Sequence, residues 1–163
     1  MDQAPGNAPV PYMERTRIYY RALGYENDYA WAHFDDVPFA RLAKPLAQAT
    51  VALITTADPP DRSSRDARGR RHVWSGDISA PPATFDTDRA WDREATHTDD
   101  RETFLPIDAT RKAVAKGVIG KLAAHFHGAA TDYSHRKTLE QDAPELLQRL
   151  RKDEVDAALL TAL

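Results

Sequence analysis

The chain has 163 residues, a length that suits one globular domain. Hydrophobic residues make up 42% and the net charge is −3, so the composition predicts neither a membrane span nor a basic surface for nucleic acid. The chain contains no cysteine, which excludes disulfides, thiolate nucleophiles and cysteine-based metal sites.

Residues 1–11 contain three prolines and a glycine, and they predict a flexible tail. Because this start lacks the basic and apolar regions of a signal peptide, we expect a cytoplasmic protein. Residues 12–163 are predicted to form a single α/β domain. It opens with a helix over 12–23, whose stripe of Tyr12, Thr16, Tyr19 and Leu23 has helical spacing and which Gly24 ends.

A second, short helix is predicted to follow Asp36, with Phe39, Leu42 and Ala43 facing the core and Pro45 ending it. The first strand is predicted over 50–56, where a continuous apolar and β-branched run is typical of a strand buried on both faces. Similar runs at 118–124 and 155–161 predict two further strands.

Helices are predicted between the later strands, over 107–116 and 142–152, with Asp142 as the cap of the second. The resulting order favours a small, three-layer-like α/β domain with a short parallel sheet of three or more strands and helical crossovers. An additional strand from the long loop, or a partner subunit, would complete so small a sheet.

Residues 58–101 form a long loop excursion after the first strand, poor in apolar residues and rich in proline and arginine. The arginines of 62–71 have two interpretations. Guanidinium groups bind phosphate or carboxylate, whereas the interleaved Asp66 favours a flexible, solvated loop.

Ligands of open α/β sheets bind beyond the carboxyl ends of the strands, from which the excursion also departs. The sequence therefore predicts a site for a small-molecule metabolite at this edge. The predicted substrate-binding residues are Thr55, Thr56, Asp58, Asp77 and Trp91.

His125 and His127 are predicted at the end of a strand, where residues i and i+2 share a face and can bind one Zn²⁺ or Fe²⁺. The alternative is a pair of partly exposed histidines at a strand–loop junction. The third metal ligand would come from Asp58, Asp92, His97, Asp99 or Asp100. No glycine-rich phosphate loop follows the first strand, so we expect no nucleotide cofactor.

An imidazole and neighbouring carboxylates in the excursion predict general acid–base chemistry, although a solvated polar loop also explains them. The predicted catalytic residues are Asp92, His97, Asp99 and Asp100.

A series of motifs resembles the short proteins of the glycine/sarcosine/betaine/D-proline reductase selenoprotein B family. The motifs are YMERTRIYYRALGY (12–25), WAH (31–33), VPF (37–39), KPL (44–46), VALITTA (51–57), GDIS (76–79), FLPI (104–107), GVIG (117–120) and VDAALL (155–160). The resemblance implies complexes that reductively cleave C–N bonds through a selenocysteine or a redox thiol, and this chain has neither. It also departs from the short members in having Asp88-Arg89-Ala90 where histidines precede Trp91-Asp92.

Two hypotheses about function remain open at this point. In the first, the chain binds or transforms a small polar, amino-acid-like metabolite, by lyase- or hydrolase-like acid–base chemistry, with metal assistance, or with a thiol from another subunit. In the second, it is a non-catalytic subunit or interaction module of a larger enzyme assembly. A homo-oligomer or a partner subunit is expected in either case.

Overall fold

The computed structural model describes residues 11–28, 30, 32–37, 40–87, 98–129, 132 and 134–162. Contacts divide the chain into two compact units, Met1–Pro38 and Phe39–Leu163. Most of the predicted tail lies outside the described residues.

The first unit contains helix α1 (Tyr12–Ala22), which matches the predicted helix. Gly24, at φ +87°, takes the left-handed conformation with which a helix commonly ends. The predicted stripe is not buried in this unit, since Tyr12, Tyr19 and Leu23 are all more than half exposed.

The helix predicted after Asp36 is wrong over residues 40–45, which have no helical structure, while Pro38 and Phe39 lie outside the described residues. Leu42 is exposed rather than facing a core, so a short helix here has no apolar contact to offset its nucleation cost. A single 3₁₀ turn, Leu46–Gln48, follows Pro45 instead.

The second unit contains a five-stranded, mostly parallel sheet, which confirms the α/β class. Its strands are β1 (Thr50–Thr55), β2 (Trp74–Asp77), β3 (Lys121–Leu122), β4 (His125–Gly128) and β5 (Ala157–Thr161). The central strand is β1, whose six residues are all buried as its sequence predicts. It pairs in parallel with β5 from Val51 to Thr55, and also with β3 and β4.

The strand predicted over 118–124 is displaced toward the carboxyl end of the chain and interrupted. Thr50 pairs with Lys121, whereas Ile54 pairs with His127, so two extra residues lie between β3 and β4. The NH of Ala123 still donates to Val51, while the carbonyl of Ala124 accepts from Ile78 beyond β2. Both histidines therefore lie inside β4, whereas the sequence predicts them at the end of a strand.

The helices of this unit are α2 (Ile107–Ala115), α3 (His135–Lys137) and α4 (Ala143–Lys152), with a π-helical turn, Thr138–Asp142, between the last two. Glu102 accepts hydrogen bonds from the NH groups of Asp108 and Ala109 and so caps α2. The helices in the described part of the chain include none that is long and apolar enough to cross a membrane.

Asp142 does not cap α4, contrary to the prediction. Its backbone is itself helical (φ −69°, ψ −44°), because the helical segment begins earlier, at Ser134. The Ser134 side chain accepts from the NH of Lys137, and the Asp142 carboxylate lies 3.4 Å from the Lys137 ammonium.

The long excursion supplies one strand of the sheet. This strand, β2, is antiparallel to β4. The sheet is therefore mixed, whereas the sequence predicts a parallel sheet. Isolated bridges join Asp58 to Asp86 and Arg65 to Arg71, which gives the described part of the excursion its own backbone pairing.

An aromatic core covers one face of the ladder formed by β2 and β4. The Trp74 and Phe126 rings meet edge-on at 5.5 Å, and Phe85 meets Phe104 in the same way at 5.4 Å. Ile107, at the start of α2, lies in this cluster. Glycine is required at Gly76 because a Cβ atom there would overlap the Phe126 ring.

We expect Gly76→Ala to lower the free energy of unfolding by about 1–3 kcal/mol, the usual cost of overpacking a core. The measurement is urea denaturation. Phe126→Leu removes the ring that the new methyl group meets, so the double variant should lose less stability than the two single variants together. Strictly additive losses would contradict this packing.

Candidate functional site

The ladder between β2 and β4 places four polar side chains on one face of the sheet. Ser75 pairs with His127 and Asp77 with His125, and directly opposed residues of antiparallel strands point to the same side. Gly76 and Phe126, which lie between these two pairs, face the aromatic core. The alternation of the two strands therefore separates a polar face from an apolar one.

A stripe of α4 covers the polar face of the ladder. Glu145, Arg149 and Asp153 are spaced four residues apart and lie on one side of the helix and its C-cap. Arg149 donates to Ser75 Oγ at 2.7 Å and also forms an ion pair with Glu145. We call the combined set the polar array: Ser75, Asp77, His125, His127, Glu145, Arg149 and Asp153.

His127 is the buried member of the polar array, with 1% of its surface exposed. Its Nδ1 lies 2.9 Å from Ser75 Oγ, and its Nε2 is buried without a hydrogen-bond partner among the described residues. Burial lowers the pKa of His127, and the nearby Arg149 and His125 add to this effect while Asp153 opposes it. The imidazole is therefore held neutral at pH 7.

His125 is the accessible member, with 49% of its side chain exposed. Its Nδ1 lies 2.8 Å from a carboxylate oxygen of Asp153. Because an ionised carboxylate can only accept, Nδ1 carries the proton and Nε2 is the basic nitrogen of the neutral ring. An oriented imidazole with a basic Nε2 is the arrangement used for general acid–base catalysis.

Asp77, predicted to bind substrate, closes a turn. One carboxylate oxygen accepts from both the NH and the hydroxyl of Ser79, each at 2.7 Å. These hydrogen bonds, that of the hydroxyl first, lower the pKa of Asp77 and keep it ionised. An anion therefore stands opposite His125 on the exposed end of the ladder.

The predicted threonines lie at the carboxyl edge of the sheet, where Thr55 is level with Gly128 and Thr161. Thr55 is fully buried and its Oγ1 accepts from the NH of Ala57. The Thr161 hydroxyl is 2.6 Å from the Phe104 carbonyl, to which it donates. Thr56 is partly buried. The hydroxyls of Thr55 and Thr161 are thus used inside the fold.

Asp58, also predicted to bind substrate, holds the excursion to the sheet. Its carboxylate accepts from Ser64 and from the guanidinium groups of Arg65 and Arg71, the last through both Nε and Nη2. The Arg71 side chain is only 3% exposed. Outside this group, Arg70 pairs with Asp66. Three of the five arginines of 62–71 are therefore paired with carboxylates of the excursion.

The predicted acid–base residues are only partly described. Asp100 caps the 3₁₀ turn Arg101–Thr103 by accepting from the NH of Glu102, and Asp99 is exposed beside it. Trp91, Asp92 and His97 lie outside the described residues. No group of three or more metal-ligating side chains occurs within the described ranges, so the metal at His125 and His127 stays a prediction.

Comparison with known families identifies the chain. The family model for glycine/sarcosine/betaine reductase selenoprotein B matches residues 20–163. The chain belongs to this selenoprotein B family. The resemblance inferred from the motifs is therefore confirmed.

Curated relatives of this selenoprotein B family chain are components of reductase complexes. It is 28% identical, over 85% of its length, to the glycine reductase complex component B subunit gamma of Symbiobacterium thermophilum. It is 27% identical over 78% to the betaine reductase complex component B subunit beta, and 26% identical over 85% to the sarcosine reductase complex component B subunit beta, both of Peptoclostridium acidaminophilum. The chain spans about a third of their length, covering 34%, 31% and 33% respectively. No solved structure matches it significantly.

Four members of the polar array in this selenoprotein B family chain were not predicted as site residues. Only contacts between distant segments bring these residues near the histidines: they are Ser75, Glu145, Arg149 and Asp153. For example, 52 residues separate Ser75 from His127 in the sequence. The local signal was the spacing of Glu145, Arg149 and Asp153 along one helix face, which by itself is typical of a solvated ion-pair stripe.

We expect Asp58→Asn to destabilise the chain by about 3–5 kcal/mol, because it removes the carboxylate charge that the buried Arg71 guanidinium contacts through Nε and Nη2. Asp66→Asn, which breaks the pair with the exposed Arg70, is the matched control and should cost much less. Urea denaturation checks both values. Equal, small losses for the two variants would show that Asp58 does not anchor the excursion.

We expect the free energy of unfolding to fall as the pH is lowered below about 6.5, because the unfolded chain protonates His127 before the folded chain does. The slope due to this residue should not exceed about 1.4 kcal/mol per pH unit. The measurement is urea denaturation at about pH 7.5 and about pH 5.5.

His127→Asn should flatten this dependence, whereas His33→Asn, at an exposed histidine, should leave it unchanged. For each variant, the free energies of unfolding at the two pH values are compared with each other. A loss of stability that is equal at both pH values therefore does not affect the result. An unchanged pH dependence in His127→Asn would contradict the effect of burial.

Proposed function

We propose that this chain is a thiol-free component of a reductase assembly, in which it binds a small amino-acid-like metabolite and transfers a proton through His125. Two facts support the proposal. Its relatives are named as subunits of glycine, betaine and sarcosine reductase complexes, and the chain contains no cysteine.

The balance of the reaction explains why a second component is needed. Reductive cleavage of a C–N bond consumes two electrons. A neutral amine also takes up two protons, which form one C–H and one N–H bond, whereas a quaternary nitrogen leaves as a tertiary amine and only the proton of the new C–H bond is consumed. A dithiol, or a selenol with a thiol, supplies both electrons and is oxidised to the corresponding disulfide or selenenyl sulfide. Since this chain has neither group, it contributes to the proton transfers and leaves the electron transfer to its partner.

The observation that carries the proposal is the hydrogen bond between His125 and Asp153. It fixes the tautomer that presents Nε2 as the proton acceptor, on a side chain that is half exposed. The carboxylates of Asp153 and Asp77 both lie beside this imidazole. A metabolite with a cationic nitrogen would be drawn to the same two carboxylates.

Three further residues of the polar array keep this arrangement in place. Arg149 links α4 to β2 through Ser75, and Ser75 contacts the neutral His127. This linkage sets the position of α4, whose C-cap is Asp153. Ser75, His127 and Arg149 are thus positioning residues for the pair of His125 and Asp153.

The residues predicted from the sequence complete the proposal. Asp92, His97, Asp99 and Asp100 of the excursion would supply the second acid–base group, with His125 and His127 as the opposite wall. Thr56 and Trp91 would line the metabolite site at the carboxyl edge, beside the buried Thr55.

The test is complementation of a native extract from which this chain has been removed with an antibody. Glycine, sarcosine or betaine is the substrate and dithiothreitol the source of electrons, and the released amine is measured. The chain alone should release none, and adding it back to the extract should restore the release. His125→Asn keeps a donor for Asp153 but lacks Nε2, and should restore at least about 100-fold less.

His33→Asn is the matched control, because His33 also pairs with a carboxylate, that of Asp35, but is fully solvated and lies in the first unit. It should restore the wild-type rate. Amine release by the isolated chain would contradict the proposal that a partner supplies the electrons. Full restoration by His125→Asn would exclude the proton transfer at this residue.

A second candidate, the non-catalytic subunit, is favoured by one feature of the sheet. Strand β5 pairs only with β1 within the described residues, and it exposes Leu159 and Leu160 by about half. Exposed leucines on an edge strand are typical of a surface that another chain covers. Restoration by His125→Asn together with loss of restoration in Leu160→Lys would support this candidate.

A further inference from the structure

Ser75 is a nucleophilic side chain that the proposed proton transfer does not use as a reacting group. It lies on the polar face of β2 and is exposed to solvent. Its Oγ is 2.9 Å from Nδ1 of His127 and 2.7 Å from Nη1 of Arg149. A hydroxyl within hydrogen-bond reach of an imidazole is the arrangement in which serine nucleophiles are activated.

The guanidinium of Arg149 sets the direction of the Ser75 hydroxyl. Because a guanidinium can only donate, Oγ accepts the hydrogen bond from Nη1. The single hydrogen of the hydroxyl is then directed to Nδ1 of His127, the other side-chain atom that Oγ contacts. Glu145 accepts from Nε and Nη2 of the same guanidinium and so holds Nη1 at Oγ.

His127 has the properties of a base for this hydroxyl. Burial lowers the pKa of His127, so the ring is neutral, and Nδ1 has a free lone pair when Nε2 carries the proton. Nε2 has no hydrogen-bond partner in the part of the chain that the structure describes, so the contacts of Nδ1 decide the tautomer. The charge of Asp153 favours the imidazolium that a proton transfer from Ser75 forms.

The hydroxyls of other serines are used to hold the backbone in place. Those of Ser64 and Ser79 each donate to an aspartate, and that of Ser134 accepts from the NH that begins α3. Ser75 instead lies within a strand whose backbone pairs with β4, so its hydroxyl is not needed for a turn or a cap. Its position between a cation and a neutral imidazole stabilises the alkoxide form of the side chain.

From these observations we propose that Ser75 is a nucleophile, activated by His127 and Arg149, that accepts the acyl group of small esters. The inference goes beyond the proposed function, because it concerns acyl transfer and a different imidazole. It also holds if His125 transfers no proton.

The reaction balances without a thiol or a redox partner. Oγ of Ser75 forms a bond to the carbonyl carbon of the ester, and its proton passes to Nδ1 of His127. The bond from this carbon to the leaving oxygen then breaks, and His127 returns the proton to that oxygen, so that an alcohol leaves and Ser75 carries the acyl group. Water attacks the acyl carbon by the same route and releases a carboxylic acid.

Arg149 has a second role in this reaction. The negative oxygen of the tetrahedral intermediate is bonded to the same carbon as Oγ. The guanidinium that contacts Oγ therefore lies near this oxygen and stabilises its charge.

The test is incubation of the full chain with a fluorophosphonate, which reacts covalently with activated serines, followed by mass spectrometry of its peptides. We expect the label on Ser75 and none on this peptide in Ser75→Ala. Ser63→Ala removes another exposed hydroxyl of the excursion and is the matched control. It should be labelled at Ser75 as fast as the wild-type chain.

Variants of the two neighbours test how the serine is activated. His127→Asn keeps an acceptor for the hydroxyl but no base, so it should be labelled at least about 100-fold more slowly. Arg149→Gln should also slow the labelling, and Arg149→Lys, which keeps the cation, should be faster than Arg149→Gln. Urea denaturation shows that the compared variants are folded.

Hydrolysis of p-nitrophenyl acetate tests the acyl transfer itself. The wild-type chain should release p-nitrophenol in a burst equal in amount to the chain, and the acetyl group should be found on Ser75. Hydrolysis without a burst and at the same rate in Ser75→Ala would assign the reaction to an exposed imidazole and overturn the inference.

The inference is also overturned if the fluorophosphonate leaves Ser75 of the wild-type chain unlabelled, or if His127→Asn is labelled as fast as the wild-type chain. The wild-type result decides the matter even where a variant does not fold. Each result is independent of amine release by the assembly.

Discussion

The antiparallel pairing of β2 with β4 is the interaction on which the rest of the structure depends. It joins residues from the excursion to residues that follow α2, and it gives the resulting ladder two chemically different faces. On one face, Gly76 makes room for the Phe126 ring and the aromatic core closes. On the other, Ser75 and His127 meet beneath α4. A shift of one residue in this register would exchange the faces and destroy both.

The elements with a strong local pattern could be predicted from the sequence. The run in β1 and the periodicity of α1 needed no information beyond their own segments. The errors arose where a distant partner decides the structure. The two extra residues between β3 and β4 follow from pairing with β1 and β2, and Asp142 lost its capping role because Ser134 begins the helical segment earlier. Neither the strand pairing nor the earlier helix start can be seen in the amino-acid composition of these segments.

The same distinction explains the candidate site. His125 and His127 could be found by their spacing, since alternate residues of any strand share a face. Asp153, which orients His125, lies 28 residues away and follows a helix whose position only the folded chain defines. Asp58 illustrates the opposite error. Its place after β1 indicated a ligand site, but its carboxylate is occupied by Arg65 and Arg71 of the excursion.

The central claim is that Asp153 holds the imidazole of His125 with its proton on Nδ1, so that Nε2 is free to exchange protons with a bound metabolite. Nitrogen-15 spectra of the histidine side chains at about pH 7.5 test it directly, because the two tautomers have different ring-nitrogen shifts. We expect the Nδ1–H form for His125 in the wild-type chain and a mixture of both tautomers in Asp153→Asn. The Nε2–H form of His125 in the wild-type chain would contradict it.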